Sequence, residues 1–186
     1  MHRLAIILLL SSISLLPVKS QDFHAVTGKS VIIDGTTSFG KFSCTYEQAE
    51  SRDTLKLQGQ TNRNVLLDIT LPVDEFGCGN KMLDRDFNKT LQADEFPHMR
   101  VQVGHFVFKE DKYESSLDLT LVGKRMMLEN LPFVLKEEDG KSYLLANFEV
   151  NFSYFDIEPP QKFLGLLKVK EELRINLRLD LLDFDQ

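Results

Sequence analysis

The sequence predicts an all-β protein, a single antiparallel barrel of about eight strands with one amphipathic helix between strands. Three observations carry that expectation. From Phe42 onward, apolar and polar residues alternate in run after run. The connections between runs are short, which makes neighbouring strands antiparallel. One stretch, 79–91, abandons the period of two for a period of four. No Gly/Ser- or Pro-rich linker divides the chain, and a meander of this many strands disposes of its edges best by closing on itself.

The elements follow in order. Met1-His2-Arg3, the 13-residue apolar run 4–16 and the small residues Val18 and Ser20 read as a secretory signal peptide over residues 1–20, leaving one domain over 21–186. That run is shorter than the ~20 residues a membrane span requires, and no later stretch is as apolar, so no integral membrane segment is expected. Weak alternation marks strands at 30–33, 41–46 and 54–57, and stronger alternation marks one at 65–71. In 79–91, Leu83, Phe87 and Leu91 form one stripe, Asn80 is placed to cap, and Asp84 and Asp86 lie near the positive end of the macrodipole. Such a stripe must cover a sheet or one mouth of the barrel. Phe96-Pro97 stops the helix. Strands then follow at 99–103, 116–121, 131–135, 144–152 and 173–181. Turn chemistry stands at Asp34-Gly35, Glu110-Asp111-Lys112, Glu138-Asp139-Gly140 and Glu158-Pro159-Pro160.

Composition narrows the function. With 42% hydrophobic residues the chain can build a core, and 28 acidic against 22 basic residues give a net charge of -6. Without Arg3 and Lys19, 28 acidic face 20 basic, or -8. An acidic chain with no basic tract has nothing to neutralise a phosphate backbone, so no nucleic-acid partner is expected. Fourteen Phe and no Trp suit a dry interior. Cys44 and Cys78 can pair in only one way within a monomer, and an exported chain favours that disulfide. Closing the loop is worth roughly 4 kcal/mol; the alternative is a nucleophilic or metal-binding thiol, for which neither Cys has a flanking His or a second Cys at metal spacing.

Catalytic signatures do not emerge. His24, His98 and His105 fall in no His-x-x-x-His or His-Glu-x-x-His spacing, and no Gly-x-Ser-x-Gly or phosphate loop occurs. No catalytic residue, metal or cofactor is expected, and Asp84 and Asp86 are better explained by the helix dipole than as an acid/base pair.

Several blocks nevertheless resemble a known family. They are Gly35-Thr36-Thr37-Ser38-Phe39-Gly40-Lys41-Phe42 with Cys44, and Leu71-Pro72-Val73 leading into Phe76-Gly77-Cys78-Gly79-Asn80. Met82-Leu83-Asp84-Arg85-Asp86-Phe87 with Thr90-Leu91 follows, then Ala93-Asp94-Glu95-Phe96-Pro97, Leu119-Thr120-Leu121-Val122-Gly123-Lys124 and Val150-Asn151-Phe152-Ser153-Tyr154-Phe155-Asp156-Ile157. In order and spacing they are similar to the YceI-like family of exported lipocalin-like proteins, and the cysteine pair marks a subgroup. The resemblance implies an eight-stranded lipocalin-like barrel, the helix beside it, holding a polyisoprenoid or similar long-chain lipid without catalysis. Many members carry an Arg where this chain has Phe152.

If the apolar phase faces inward, the expected cavity lining is Phe42, Val65, Leu67, Ile69, Phe87, Leu91, Val101, Val103, Leu119, Leu121, Phe133, Phe148, Val150, Leu173 and Ile175, with Leu83, Leu144 and Leu177 alongside. His105 shares the phase of Val101 and Val103 and would meet a ligand's polar end. The alternative is a ligand-free stress-response or interaction module whose side chains fill the barrel. An apolar mouth would also serve as the contact of a homodimer.

Overall fold

The computed structural model describes residues 23–50, 53–56, 67–162 and 166–183; the expected signal peptide and Val65 lie outside them. In chain order the elements are β1 (Phe23–Thr37), β2 (Gly40–Gln48), β3 (Asp53–Lys56), β4 (Leu67–Pro72), α1 (Lys81–Thr90), β5 (His98–Val103), β6 (Val107–Lys109) and β7 (Lys112–Leu121). They continue with β8 (Lys124–Glu138), β9 (Lys141–Asn151), β10 (Gln161–Lys162), β11 (Leu167–Lys168) and β12 (Glu172–Asp183). Single tight helical turns follow β4 at Val73–Glu75 and β9 at Phe152–Phe155.

Eight strands run in the order β2-β1-β12-β9-β8-β7-β5-β4, antiparallel throughout, with β2 and β4 as the two end strands. β3 continues the line of β2 along β1, and β6 does the same for β5 along β7. The seam between β2 and β4 is bridged by the segment after β4. Thr45 N–H donates to Gly77 O at 2.9 Å, Gly77 N–H donates back to Thr45 O at 3.0 Å, and a Cys44–Cys78 disulfide sits beside them. Hydrogen bonds and a covalent link thus satisfy an edge that would otherwise be open.

The strand phases follow the alternation. In β4 the buried positions are Leu67, Ile69 and Leu71, and in β12 they are Leu173, Ile175, Leu177, Leu179 and Leu181. β8 changes phase midway, from Met126 to Leu131 and Phe133, where Asn130 takes a left-handed φ of 55° and the β7–β8 register jumps. This β-bulge keeps both halves facing inward despite the extra residue.

Three expectations are corrected. Asp34-Gly35 is not a turn: β1 runs straight through it, and the chain reverses at Ser38-Phe39. Gly35 is small for another reason, because a Cβ there would lie 2.2 Å from Phe42 Cζ. The weak runs at 30–33 and 131–135 are parts of two strands of 15 residues each. α1 is shorter than 79–91, and only Asp84 lies in its first turn, leaving Asp86 outside the reach of the dipole argument.

Candidate functional site

The inside of the barrel differs at its two ends. At the end away from α1, Leu67, Ile69, Val103, Phe133 and Leu144 fill the space, all of them buried. Phe106 seals it, its ring edge-on to Phe133 at 4.9 Å and to Tyr113 at 6.2 Å. At the end covered by α1 the wall opens into a cavity of about 510 Å³.

The strand wall of that cavity includes Phe42, Val101, Leu119, Leu121, Phe148, Val150, Leu173 and Ile175, with Leu177 beyond them. Leu83, Phe87 and Leu91 close it from the helix. Residues not named as lining from the sequence complete it: Val31, Ile33, Met99 and Phe152 belong to the alternating runs, whereas Met82, Pro160, Leu167 and Val169 carry no periodic signal. Phe152 adds an apolar wall.

α1 is held over the opening by its start. Asn80 caps it, its side-chain oxygen accepting from the N–H groups of Met82 and Leu83 at 3.1 and 3.0 Å. Asp84 turns back to accept from Cys78 N–H at 2.7 Å, tying the helix to the disulfide. Tilted ring contacts fix its body: the Phe87 ring lies 5.2 Å from that of Phe76, which lies 5.5 Å from Tyr46. Burial, with Glu75 nearby, pushes the Tyr46 phenol above its ordinary value, so it stays neutral.

Polar chemistry inside is sparse. Among the described lining residues only Thr37, Asp86 and Thr90 carry polar side chains beyond the cystine, and none is Lys, Arg or His. The Thr90 hydroxyl donates to Asp86 O at 2.7 Å, on the helix itself. Among the described residues no cluster of His, Cys, Asp and Glu could hold a metal ion, and both cysteines are oxidised.

Several expected lining residues are placed elsewhere. Leu67, Ile69, Val103 and Phe133 point inward but belong to the filled end. His105 does not line the cavity, because β5 ends at Val103 and the chain leaves the sheet at Gly104, whose N–H donates to Ser116 O at 2.8 Å. The phase is lost there, Phe106 turns inward instead, and His105 Nε2 is buried without a hydrogen-bond partner.

Among the described residues no helix is long and apolar enough to cross a membrane. No family model matches the sequence, and no curated protein matches it. Solved structures do. BcnA of Burkholderia cenocepacia superimposes with a TM-score of 0.50 at 13% identity, over 82% of this chain and 94% of that one. The YceI protein of Campylobacter jejuni gives 0.46 at 18% identity, over 64% and 72%. At such identities the likeness is one of architecture, and the chain has the fold of a YceI-like, lipocalin-like barrel.

Proposed function

We propose that this protein is a non-catalytic, extracytoplasmic carrier that sequesters one polyisoprenoid or similar long-chain lipid in the cavity beneath α1. The observation that carries the reading is the cavity itself: about 510 Å³, within the range of ligand sites, and walled almost wholly by apolar side chains. Each ligand methylene buried there contributes ~0.8 kcal/mol. A long tail therefore binds through shape and dryness, and no reacting group is required. The disulfide favours an oxidising compartment such as the periplasm, in keeping with the expected signal peptide.

The test uses protein stripped of lipid by organic extraction and refolded. A twenty-carbon prenol should displace a fluorescent apolar probe with one-to-one stoichiometry. Failure of prenols, prenyl quinones and fatty acids alike to displace it would overturn the proposal.

A further inference from the structure

Two rows of side chains reach the cavity from the α1 segment. Leu83, Phe87 and Leu91 form the apolar one. Met82, Asp86 and Thr90, again spaced by four, form the second and also line the space. The helical period therefore sets a carboxyl and a hydroxyl one turn apart at the edge of an otherwise apolar chamber.

What these groups offer a ligand depends on where their protons are. The Thr90 hydroxyl directs its one proton to Asp86 O at 2.7 Å, so what it has left is lone pairs. A carboxylate at Asp86 is likewise an acceptor. The third polar side chain of the lining, Thr37, is placed the same way: its hydroxyl donates to Gly40 O at 3.0 Å and accepts from Phe39 N–H at 3.2 Å. Among the described lining residues, each polar side chain therefore presents acceptors to an incoming ligand. Thr90 is partly buried and Thr37 sits in an exposed turn, so a matched head group matters more at the helix, where water is scarcer.

We infer that the cavity selects a long-chain alcohol, whose hydroxyl donates its proton to the Asp86–Thr90 pair, over tails of the same length that end in acceptors alone. The inference rests on the carrier reading and adds the head group to it. A quinone or ether oxygen has no proton to give and would meet other acceptors, leaving both sides unpaired. A fatty acid's carboxylate does the same and also brings a like charge beside Asp86. An ammonium could donate, but it carries a charge into an apolar chamber, whereas a hydroxyl is neutral and is desolvated at far lower cost.

The experiment compares three ligands with one tail, a twenty-carbon prenol, its methyl ether and the corresponding acid, as displacers of a fluorescent apolar probe from the full, lipid-stripped protein at about pH 7. The alcohol should bind about fivefold more tightly than the ether, as for one net hydrogen bond, and the acid should be weaker than the ether. D86N should narrow both ratios, because its amide supplies the donor that the ether and the acid lack. T90V keeps the shape, removes the oxygen and should narrow the alcohol-to-ether ratio. Thermal melts establish that the variants fold, and the wild-type series stands alone if one does not. Equal binding of the three ligands, or ratios that neither variant moves, overturns the inference and leaves the carrier reading intact. Failure of all three to displace the probe sinks the carrier reading and this inference with it.

Discussion

Cys44 of β2 is covalently joined to Cys78, the residue two places before the α1 N-cap, so one bond closes the barrel seam and anchors the helix over the cavity. Both cysteines line that cavity. The wall, the seam and the lid therefore share one fastening.

Breaking it should cost both stability and retention. The disulfide spans 34 positions, and its loss in C44A/C78A should lower unfolding stability by about 4 kcal/mol. Urea unfolding of oxidised and double-variant protein measures this. The variant should also release bound lipid faster, because Asp84 loses the ordered Cys78 amide that it accepts from. Equal release rates would show that the helix holds its place without the bond.

The two ends of the barrel should answer substitution differently. Phe133→Ala removes a ring from the filled end and should cost about 3–5 kcal/mol while leaving lipid stoichiometry alone. Val150→Trp places a large ring in the hollow end, where room exists, and should abolish lipid binding at about 1–3 kcal/mol. Calorimetry and native mass spectrometry on both variants decide the matter; a hollow end that is in fact filled would make Val150→Trp the more damaging of the two.

Gly35 and Phe42 are a coupled pair. A Cβ at Gly35 would meet Phe42 Cζ at 2.2 Å and Leu173 Cδ2 at 3.0 Å, so Gly35→Ala must push the Phe42 ring from the cavity wall. The cost should be about 1–3 kcal/mol. In the G35A/F42A double variant most of it should disappear, giving a coupling energy of at least about 0.5 kcal/mol. Additive losses would mean that the ring does not occupy the glycine's space.

Acid stability should carry a contribution from Asp68. Its carboxyl is held below the ordinary value, first by the hydrogen bond from Arg100, against the opposing effect of burial, with the Gln102 hydrogen bond and the Arg100 charge adding lesser lowering contributions. A carboxylate so stabilised supports the fold above about pH 4, its unfolded value, and the support is lost as pH falls through the lower folded value. The pair lies on the outer face and is partly solvent-washed, so the effect should be small. Wild type should exceed Asp68→Asn in urea midpoint near neutral pH, and the two should converge as pH falls below the ordinary carboxylate range. Parallel curves would remove the Arg100 pairing from the account.

What could be read from the sequence was what periodicity encodes. Leu173, Ile175 and Leu177 alternate without interruption, and the structure places all three inside. Helix stripe and cap were likewise legible at Leu83, Phe87, Leu91 and Asn80. Depth along the barrel was not, because Leu67 and Leu119 share the same inward phase while only Leu119 reaches the cavity. Alternation gives a side chain's face and says nothing about which layer has room. Pro160 and Leu167 escaped notice because a loop and a two-residue strand have no period to mark them, whereas Phe152 ended an alternating run and lines the cavity from a tight turn. The phase argument failed at His105 because it assumed an unbroken strand across Gly104.

The most direct test is native mass spectrometry of the full-length protein, expressed with its own N-terminus, purified without detergent and measured before and after organic extraction. One lipid-sized mass per chain, lost on extraction and missing from Val150→Trp, is the expected result. A bare chain before extraction that also stays bare after incubation with prenols, prenyl quinones and fatty acids would contradict the carrier function.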